Sequence, residues 1–216
     1  MTTEGATVYI VDDDASVRKA LARSIQAAGL NVKTFSSARE FLDQGLARGP
    51  GCLVLDVRMP GLSGLDLQAE LNRRNVQTPV IFITGHGDIP VTVKAMKGGA
   101  ADFLPKPFKV KDLLRVIQEA LKKDERLQAS RAENTEVQRR IQTLTPRERE
   151  VLGLVVKGLL NKQIAAELGA AERTVKVHRG RVMKKMQVQS VAELVRAVER
   201  VKAEGESLPA HSTKVP

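Results

Sequence analysis

The segment CLVLDVRMPGLSG, Cys52 to Gly64, decides the fold of the first half of this chain. The four apolar residues Cys52 to Leu55 directly precede Asp56, and the turn-forming run MPGLSG comes shortly after it. A short, continuously apolar run bounded by turn residues is typical of a strand that is covered on both faces. The segment therefore predicts a buried parallel strand with a carboxylate at its carboxyl end.

Similar apolar runs lie on both sides of this strand and alternate with helical patterns. The predicted strands are Thr7–Val11, Asn31–Phe35, Cys52–Leu55, Pro79–Ile83 and Ala101–Leu104. The predicted helices are Ala15–Ala28, Ala38–Ala47, Leu65–Asn72, Ile89–Lys97 and a fifth that starts at Val110. Five such units predict an α/β fold with a five-stranded, doubly wound parallel sheet, whose sites lie beyond the carboxyl ends of the strands.

Carboxylates, one hydroxyl and one ammonium follow these strand ends. They are Asp12, Asp13, Asp14, Asp56, Thr84 and Lys106. Clustered carboxylates disfavour one another's charge unless a cation neutralises them, and Mg²⁺ (or Mn²⁺) suits oxygen ligands of this kind. A carboxylate in such a site can attack phosphorus and form an acyl phosphate. The alternative is that Asp14 and its neighbours only cap the next helix, and that Asp56 is a turn residue.

The basic charge of the chain is concentrated in its second half. Of the formal net charge of +10, residues 1–120 contribute +2 and residues 121–216 contribute +8. Ala171–Met186 alone holds six lysine and arginine residues against one glutamate. This distribution favours a nucleic-acid partner for the second half, although a solvated basic face would have the same charge.

Beyond Leu121 the helical pattern becomes highly charged, with little core-facing periodicity, and four short helices follow it. They are predicted at Pro146–Lys157, Asn161–Leu168, Glu172–Met186 and Ser190–Lys202. Thr145 before Pro146, with Glu148 at the third helical position, predicts a capping box. Two short helices joined by a turn at Leu168–Gly169 predict a helix-turn-helix unit.

The helix predicted at Glu172–Met186 has two faces. Val175, His178, Val182 and Met186 follow helical spacing and are expected to face the core, with His178 packed there and not bound to metal. An apolar Val177 among exposed basic residues fits contact with a thymine methyl group, and Lys176 fits a base edge. The residues expected to contact phosphates are Arg173, Arg179, Arg181 and Lys184.

Four blocks of the first half resemble the signature blocks of receiver domains. They are VDDD (Val11–Asp14), LDVRMPGLSG (Leu55–Gly64), ITGHGD (Ile83–Asp88) and DFLPKPF (Asp102–Phe108). The resemblance implies that Asp56 is the phosphorylation site, Thr84 the switch hydroxyl and Lys106 the phosphate-binding lysine. It further implies a switch aromatic at Phe103, a cis peptide bond between Lys106 and Pro107, and a metal site. The implied metal-site residues are Asp12, Asp13, Asp56 and the backbone carbonyl of Arg58.

Residues from Leu144 to about Arg200 resemble a LuxR-type DNA-binding domain, so the whole chain is similar to the NarL/FixJ group of response regulators, on the FixJ side. The implied division is a receiver domain at 1–121, a helical linker at 122–142, an all-α four-helix helix-turn-helix domain at 143–203 and a disordered tail at 204–216. Leu160 stands where a serine usually caps the first helix of the unit, so Asn161 is expected to cap it instead. The other departures from the pattern are Ala170, Ala171 and Gly180.

These resemblances imply a phosphorylation-dependent transcription regulator. A sensor histidine kinase would phosphorylate Asp56, Thr84 would move inward and Phe103 would repack. The altered surface, where a homodimer is expected to form, includes Val91, Lys94 and Ala95. The dimer is expected to bind two half-sites in promoter DNA and to act with RNA polymerase. We expect a cytoplasmic protein, with Cys52 as a small core residue and without membrane association.

Two other functions stay open at this point. One is an aspartyl-phosphate hydrolase of the haloacid-dehalogenase type, but those enzymes carry an acid two residues after the nucleophile, where this chain has Arg58. The other is a receiver linked to an RNA-binding or adaptor domain. The second half has no Phe, Tyr or Trp for stacking on RNA bases, which argues against RNA binding. The expected protein is therefore not an enzyme.

Overall fold

The computed structural model describes residues 5–45, 49–85 and 89–203. The chain divides into two compact units, Met1–Ala129 and Ser130–Pro216. The first unit is a sheet covered by helices, and the second is helical. Within the described residues, no helix has both the length and the apolar character that a membrane crossing requires.

The sheet of the first unit has five parallel strands. They are β1 (Thr7–Val11), β2 (Asn31–Phe35), β3 (Gly51–Asp56), β4 (Val80–Thr84) and β5 (Asp102–Pro105). Their order is β2-β1-β3-β4-β5, so β3 lies at the centre of the sheet. Every neighbouring pair is parallel, and all five carboxyl ends therefore meet at one edge. The predicted doubly wound α/β sheet is confirmed.

Helices cover both faces of this sheet. They are α1 (Ala15–Ala27), α2 (Ala38–Gln44), α3 (Gly64–Arg73), α4 (Ile89–Lys97) and the first part of α5 (Val110–Gln142). Cys52 and Val54 of β3 pack into the core on the side of α1 and α5. Leu53 and Leu55 pack on the side of α2, α3 and α4. Cys52 is a buried core residue, as predicted, and burial raises the pKa of its thiol to about 12.

The starts of the first helices are capped by polar side chains, as the sequence chemistry dictates. The Asp14 carboxylate accepts hydrogen bonds from the backbone N–H groups of Ser16 and Val17 at the start of α1, so its predicted capping role is confirmed. Ser63 caps α3 in a reciprocal capping box with Asp66. These caps satisfy N–H groups that would otherwise have no partner within the helix.

The long helix α5 is buried along part of the segment predicted to be a solvated linker. Val137 and Ile141 lie in the core of the second unit, four residues apart on one helical face. The expectation of little core-facing periodicity beyond Leu121 is therefore wrong. Two apolar residues at helical spacing are enough to dock a helix, even where most of the other side chains are polar.

The second unit contains the helices α6 (Pro146–Val156), α7 (Asn161–Glu167), α8 (Glu172–Met186) and α9 (Val191–Ala203). Their core includes Val151, Val155, Ile164 and Leu194. Thr145 and Glu148 form the predicted capping box at the start of α6, with proline at the first helical turn. The four predicted helices are thus present, and α7 and α8 form a helix-turn-helix pair.

A buried ion pair ties α8 to the start of α6. The Lys185 ammonium donates to Glu148 at 2.6 Å and to the backbone carbonyl of Thr143 at 3.1 Å. Glu148 is buried, and burial alone would raise its pKa. The hydrogen bonds from Lys185 and from the Thr145 backbone outweigh this effect, so the pKa of Glu148 is lowered.

We expect Glu148→Gln to lower the free energy of unfolding of the second unit by about 1 kcal/mol at neutral pH, because a charged hydrogen bond becomes a neutral one. A carboxyl group whose pKa is lower in the folded state stabilises the fold when ionised. The difference from the wild type should therefore shrink as the pH falls below 4.5, the ordinary pKa of a glutamate. Native-state hydrogen exchange of α6 and α8 amides measures this difference. Equal effects of Glu148→Gln and of Glu167→Gln, an exposed control on α7, would contradict the role of the ion pair.

Candidate functional site

An acidic pocket lies at the carboxyl edge of the sheet. Asp12 follows β1, Asp56 ends β3 and Thr84 ends β4. The Lys106 ammonium, just beyond β5, donates to Asp12 at 3.0 Å and to Asp56 at 2.9 Å. The Lys106–Pro107 peptide bond is cis, as expected. The strand ends therefore converge as their pattern predicted, and residues 94 and 50 positions apart along the chain come into contact.

The pocket holds more negative charge than its one ammonium can balance. Burial raises the pKa of Asp12, and the nearby Asp56 carboxylate acts in the same direction. Hydrogen bonds from the Asp14 backbone and from Lys106 oppose this rise without cancelling it. For Lys106, burial works against the charged form, but its bonds to Asp56 and Asp12 raise its pKa overall. The lysine is therefore cationic at neutral pH.

The other predicted metal-site groups lie around the pocket. Asp13 is exposed, and the backbone N–H of Arg58 donates to Asp56 at 2.7 Å. Across residues 5–45, 49–85 and 89–203, no three carboxylate, histidine or cysteine side chains are close enough together to hold a metal ion. The donors that are present are all oxygens, and two of them are buried carboxylates that share one ammonium. This chemistry fits a hard divalent cation such as Mg²⁺.

The predicted switch and dimerisation residues differ in how far their side chains are buried. Thr84 is buried, and Phe103 is half-buried against the core on the α4 side. On α4, Ala95 is fully buried and Val91 packs against the same core, whereas Lys94 is exposed. Of the three predicted dimerisation residues, Ala95 is therefore fully buried, Val91 is half-buried and Lys94 is exposed.

The outer face of α4 carries an apolar stripe of its own. Ile89 is 77% exposed, Met96 46% and Val93 44%. The three side chains are spaced four and three residues apart, which places them on one helical face. Large apolar side chains that are exposed together mark an interaction surface more often than an ordinary solvated one. Lys94 and Lys97 lie beside this stripe and are also exposed.

The face of α8 that packs into the core is the one predicted from the spacing of its apolar residues. Val175, Val182 and Met186 are buried in the core of the second unit. His178 is half-buried, and within the described residues its buried Nδ1 atom has no hydrogen-bond partner. The imidazole therefore packs beside the core, in agreement with its predicted role.

The outer face of α8 exposes five of the six predicted DNA-contacting residues. They are Arg173, Lys176, Val177, Arg181 and Lys184. Val177 is 48% exposed, although it is apolar. The sixth residue, Arg179, is half-buried, and its guanidinium donates to Asn161 at 2.9 Å. The expectation that Asn161 caps α7 is wrong, because Asn161 is the first residue of that helix and its side chain accepts from Arg179 instead.

The two units correspond to two known families. The response regulator receiver domain family matches residues 8–118, and the bacterial regulatory proteins of the luxR family match residues 142–198. The chain belongs to the response regulators. Nodulation protein W of Bradyrhizobium diazoefficiens is 52% identical to this response regulator over 194 residues, which are 90% of this chain and 86% of that protein. Response regulator protein TmoT of Ectopseudomonas mendocina is 49% identical over 202 residues, which are 94% and 92% of the two chains.

Solved structures of response regulators also match this chain. The response regulator StyR matches with a TM-score of 0.81 and 48% identity, over 90% of this chain and 98% of that one. Full-length FixJ from B. japonicum matches with a TM-score of 0.56 and 41% identity, over 92% and 98%. The predicted combination of a receiver with a LuxR-type DNA-binding domain, similar to FixJ, is therefore confirmed.

Sequence reasoning missed two polar anchors of this response regulator. The Arg18 guanidinium of α1 donates to the backbone carbonyl of Asp12 at 2.6 Å, directly behind the acidic pocket. The Asp124 carboxylate of α5 is buried and accepts hydrogen bonds from the Gly51 backbone at 2.9 Å and from Gln128 at 2.7 Å. No motif marks either residue, since each acts on a backbone atom, and the Gly51 backbone lies 73 residues from Asp124.

Two further side chains hold the end of α4. Gln68 and Asn72 of α3 donate to the backbone carbonyls of Ala95 and Gly98, at 3.2 Å and 2.9 Å. The carboxyl end of α4 is therefore fixed to α3 in the response regulator. The tail predicted at 204–216 lies outside the described residues.

Proposed function

We propose that Asp56 accepts a phosphoryl group from a sensor histidine kinase and that this modification controls DNA binding by α8. The observation that carries the proposal is the Lys106 ammonium, which bridges the Asp12 and Asp56 carboxylates. An Asp56 oxygen attacks the phosphorus of a phosphohistidine, the phosphorus–nitrogen bond breaks, and an acyl phosphate forms on Asp56. Lys106 neutralises charge on the transferred group, which is the main requirement of phosphoryl transfer.

The pocket is proposed to work with a bound Mg²⁺ or Mn²⁺ ion. The residues that would hold it are Asp12, Asp13, Asp56 and the backbone carbonyl of Arg58. A bound divalent ion supplies positive charge for the phosphoryl oxygens. Two carboxylates share one ammonium here, and the pKa of Asp12 is raised by its burial and, to a smaller extent, by Asp56, which supports this proposal.

Phosphorylation is proposed to act through Thr84 and Phe103 on the outer face of α4. The Thr84 hydroxyl would bond a phosphoryl oxygen, and Phe103 would repack beside it. A homodimer would then form through the exposed stripe of Ile89, Val93 and Met96, flanked by Lys94. This stripe takes the place of Val91 and Ala95, whose side chains face the core.

The α8 helix is proposed to read duplex promoter DNA from the major groove. Lys176 and Val177 would contact base edges, while Arg173, Arg181 and Lys184 would contact phosphates. Two copies in a dimer would bind two half-sites, and RNA polymerase is the proposed partner at the promoter. Binding to promoter DNA implies a cytoplasmic location for the protein.

The alternative functions are not favoured by any specific contact. The relatives are transcription regulators by name, which agrees with a protein that is not an enzyme. A hydrolase of the haloacid-dehalogenase type needs an acid where Arg58 stands, and Arg58 offers its backbone N–H to Asp56.

The decisive experiment compares DNA binding with and without a small phosphodonor and Mg²⁺. Wild type, Asp56→Asn and the exposed control Asp43→Asn are incubated with duplexes enriched from a random-sequence library. We expect the phosphodonor to tighten binding of wild type and Asp43→Asn by about tenfold or more, within the range of allosteric coupling, and to leave Asp56→Asn unchanged. Equal tightening of all three proteins would rule out control through Asp56.

A further inference from the structure

The two helices of the helix-turn-helix pair both begin without a side-chain cap. Leu160 and Ala171 occupy the positions before α7 and α8, and neither offers an acceptor to the helix. The Leu160 backbone N–H donates to Gln163 at 2.7 Å instead. The polar side chains that usually fix the start of such helices are therefore replaced by apolar ones, and each lost cap costs about 1 kcal/mol.

A different polar contact joins these two helices. The Arg179 guanidinium of α8 donates to Asn161, the first residue of α7, at 2.9 Å. Arg179 follows Val175 by four residues and precedes Val182 by three, so it shares the inner stripe of α8 with two buried valines. Unlike the exposed Arg181 and Lys184, it is half-buried.

We propose that Arg179 is a positioning residue that sets the orientation of α8 through Asn161 and does not bind a DNA phosphate. The guanidinium is planar and presents its donors in a fixed arrangement, so one strong hydrogen bond also restricts the angle between the helices. Base recognition by Lys176 and Val177 depends on that angle, because a shift of about 1 Å in a supporting residue is enough to spoil a recognition site. The proposal rests on DNA binding by the outer face of α8.

Phosphate contacts and positioning contacts have different signatures in binding measurements. Removal of a residue that contacts a phosphate weakens binding to all sequences and reduces the salt dependence of log K by about 0.9 per contact. Removal of a positioning residue weakens specific binding more than non-specific binding and leaves the salt dependence unchanged. Asn161 is uncharged, so Asn161→Ala reports the positioning contact without a change in net charge.

The test is a double-mutant cycle with Arg179→Ala, Asn161→Ala and both together, with Arg181→Ala as the phosphate-contact control. The probes are a duplex enriched by the wild-type protein from a random library and an unselected duplex, each titrated over a range of salt. We expect each single variant and the double variant to bind the enriched duplex about tenfold more weakly than the wild type. The salt dependence of binding should stay unchanged in all three. Arg181→Ala should reduce the salt dependence.

A smaller salt dependence for Arg179→Ala, or additive losses in the double variant, would overturn the proposal. The same cycle is measured on unfolding of the free protein, through hydrogen exchange of α7 and α8 amides. In this unfolding cycle we expect the two single variants to lose similar protection and the double variant to lose no more than either. Additive losses of protection would also overturn the proposal. If the wild type enriches no duplex, the proposed DNA-binding face is wrong, and the unfolding cycle alone decides the role of Arg179.

Discussion

Replacing Lys106 by methionine should slow phosphorylation of the protein by a small phosphodonor by about a hundredfold to a thousandfold. Loss of one preorganised group that stabilises developing charge has an effect of this size in enzymes. In this pocket the ammonium lies 2.9 Å from Asp56 and 3.0 Å from Asp12, and methionine keeps the length of the side chain without its charge. The rate of acyl-phosphate formation, followed by mass spectrometry of the intact protein, measures the effect.

The same variant should show an altered dependence of stability on pH. The pKa of Asp12 is already raised in the folded protein, chiefly by burial, and Lys106 is among the groups that hold it down. A group with a raised pKa stabilises the fold when protonated, and this stabilisation is lost as the pH rises through the folded value. Lys106→Met should therefore lose stability more steeply than the wild type as the pH rises above 3.8, the ordinary pKa of an aspartate.

A matched control is the exposed Lys109, three residues further along the same loop. Lys109→Met removes the same charge from the same region but leaves the pocket intact. If both variants follow the wild type in phosphorylation rate and in pH dependence, the bridging ammonium is not what balances the two carboxylates, and the proposed role of Lys106 is wrong.

The strand ends were predictable because a parallel sheet restricts where they can lie. Five apolar runs that alternate with helices form a parallel sheet, and all carboxyl ends of a parallel sheet lie at one edge. Asp12, Asp56 and Lys106 therefore lie near one another regardless of the loop conformations. The inner face of α8 was predictable for a similar reason. Val175, Val182 and Met186 repeat at helical spacing within a helix that is mostly polar elsewhere, which favours one orientation.

The faces of α4 could not be assigned in this way. The sequence IPVTVKAMK has apolar residues all around the helix, so its period does not show which side meets the sheet. Packing decides the matter, since small Ala95 fits fully buried against β4 and β5 while Val93 stays 44% exposed. This ambiguity explains why the residues predicted from sequence combine buried Ala95 with exposed Lys94.

Arg179 shows the opposite difficulty, in which residue type and spacing point to different roles. Its charge suggested a phosphate contact, as for its exposed neighbours. Its position four residues after Val175 placed it on the inner stripe, where it bonds Asn161. A charge on the buried side of a helix needs a partner, so spacing is the better guide whenever the two signals disagree.

Substitution of Gly64 by alanine should both destabilise the first unit and disable Asp56. A Cβ atom at Gly64 would lie 2.2 Å from the backbone carbonyl oxygen of Asp56 and 3.1 Å from the Leu55 side chain. Backbone cannot rotate aside as a flexible side chain can, so either α3 or the end of β3 must shift. Overpacking of this kind costs about 1–3 kcal/mol. A displacement of Asp56 by about 1 Å should also slow phosphorylation about a hundredfold, because the transfer needs in-line geometry.

Gly85→Ala is the matched control for this prediction. Gly85 also directly follows a strand end at the same edge of the sheet, but a Cβ atom there meets none of the described residues within 4 Å. We expect Gly85→Ala to retain the wild-type stability of the sheet, measured by hydrogen exchange of β3 and β4 amides, and Gly64→Ala to lose protection first at β3. Wild-type rates and protection in Gly64→Ala would show that Asp56 is not held by its contact with α3. Because the two variants add the same methyl group beside the same pocket, the difference between them isolates the packing of α3 against the phosphoacceptor strand.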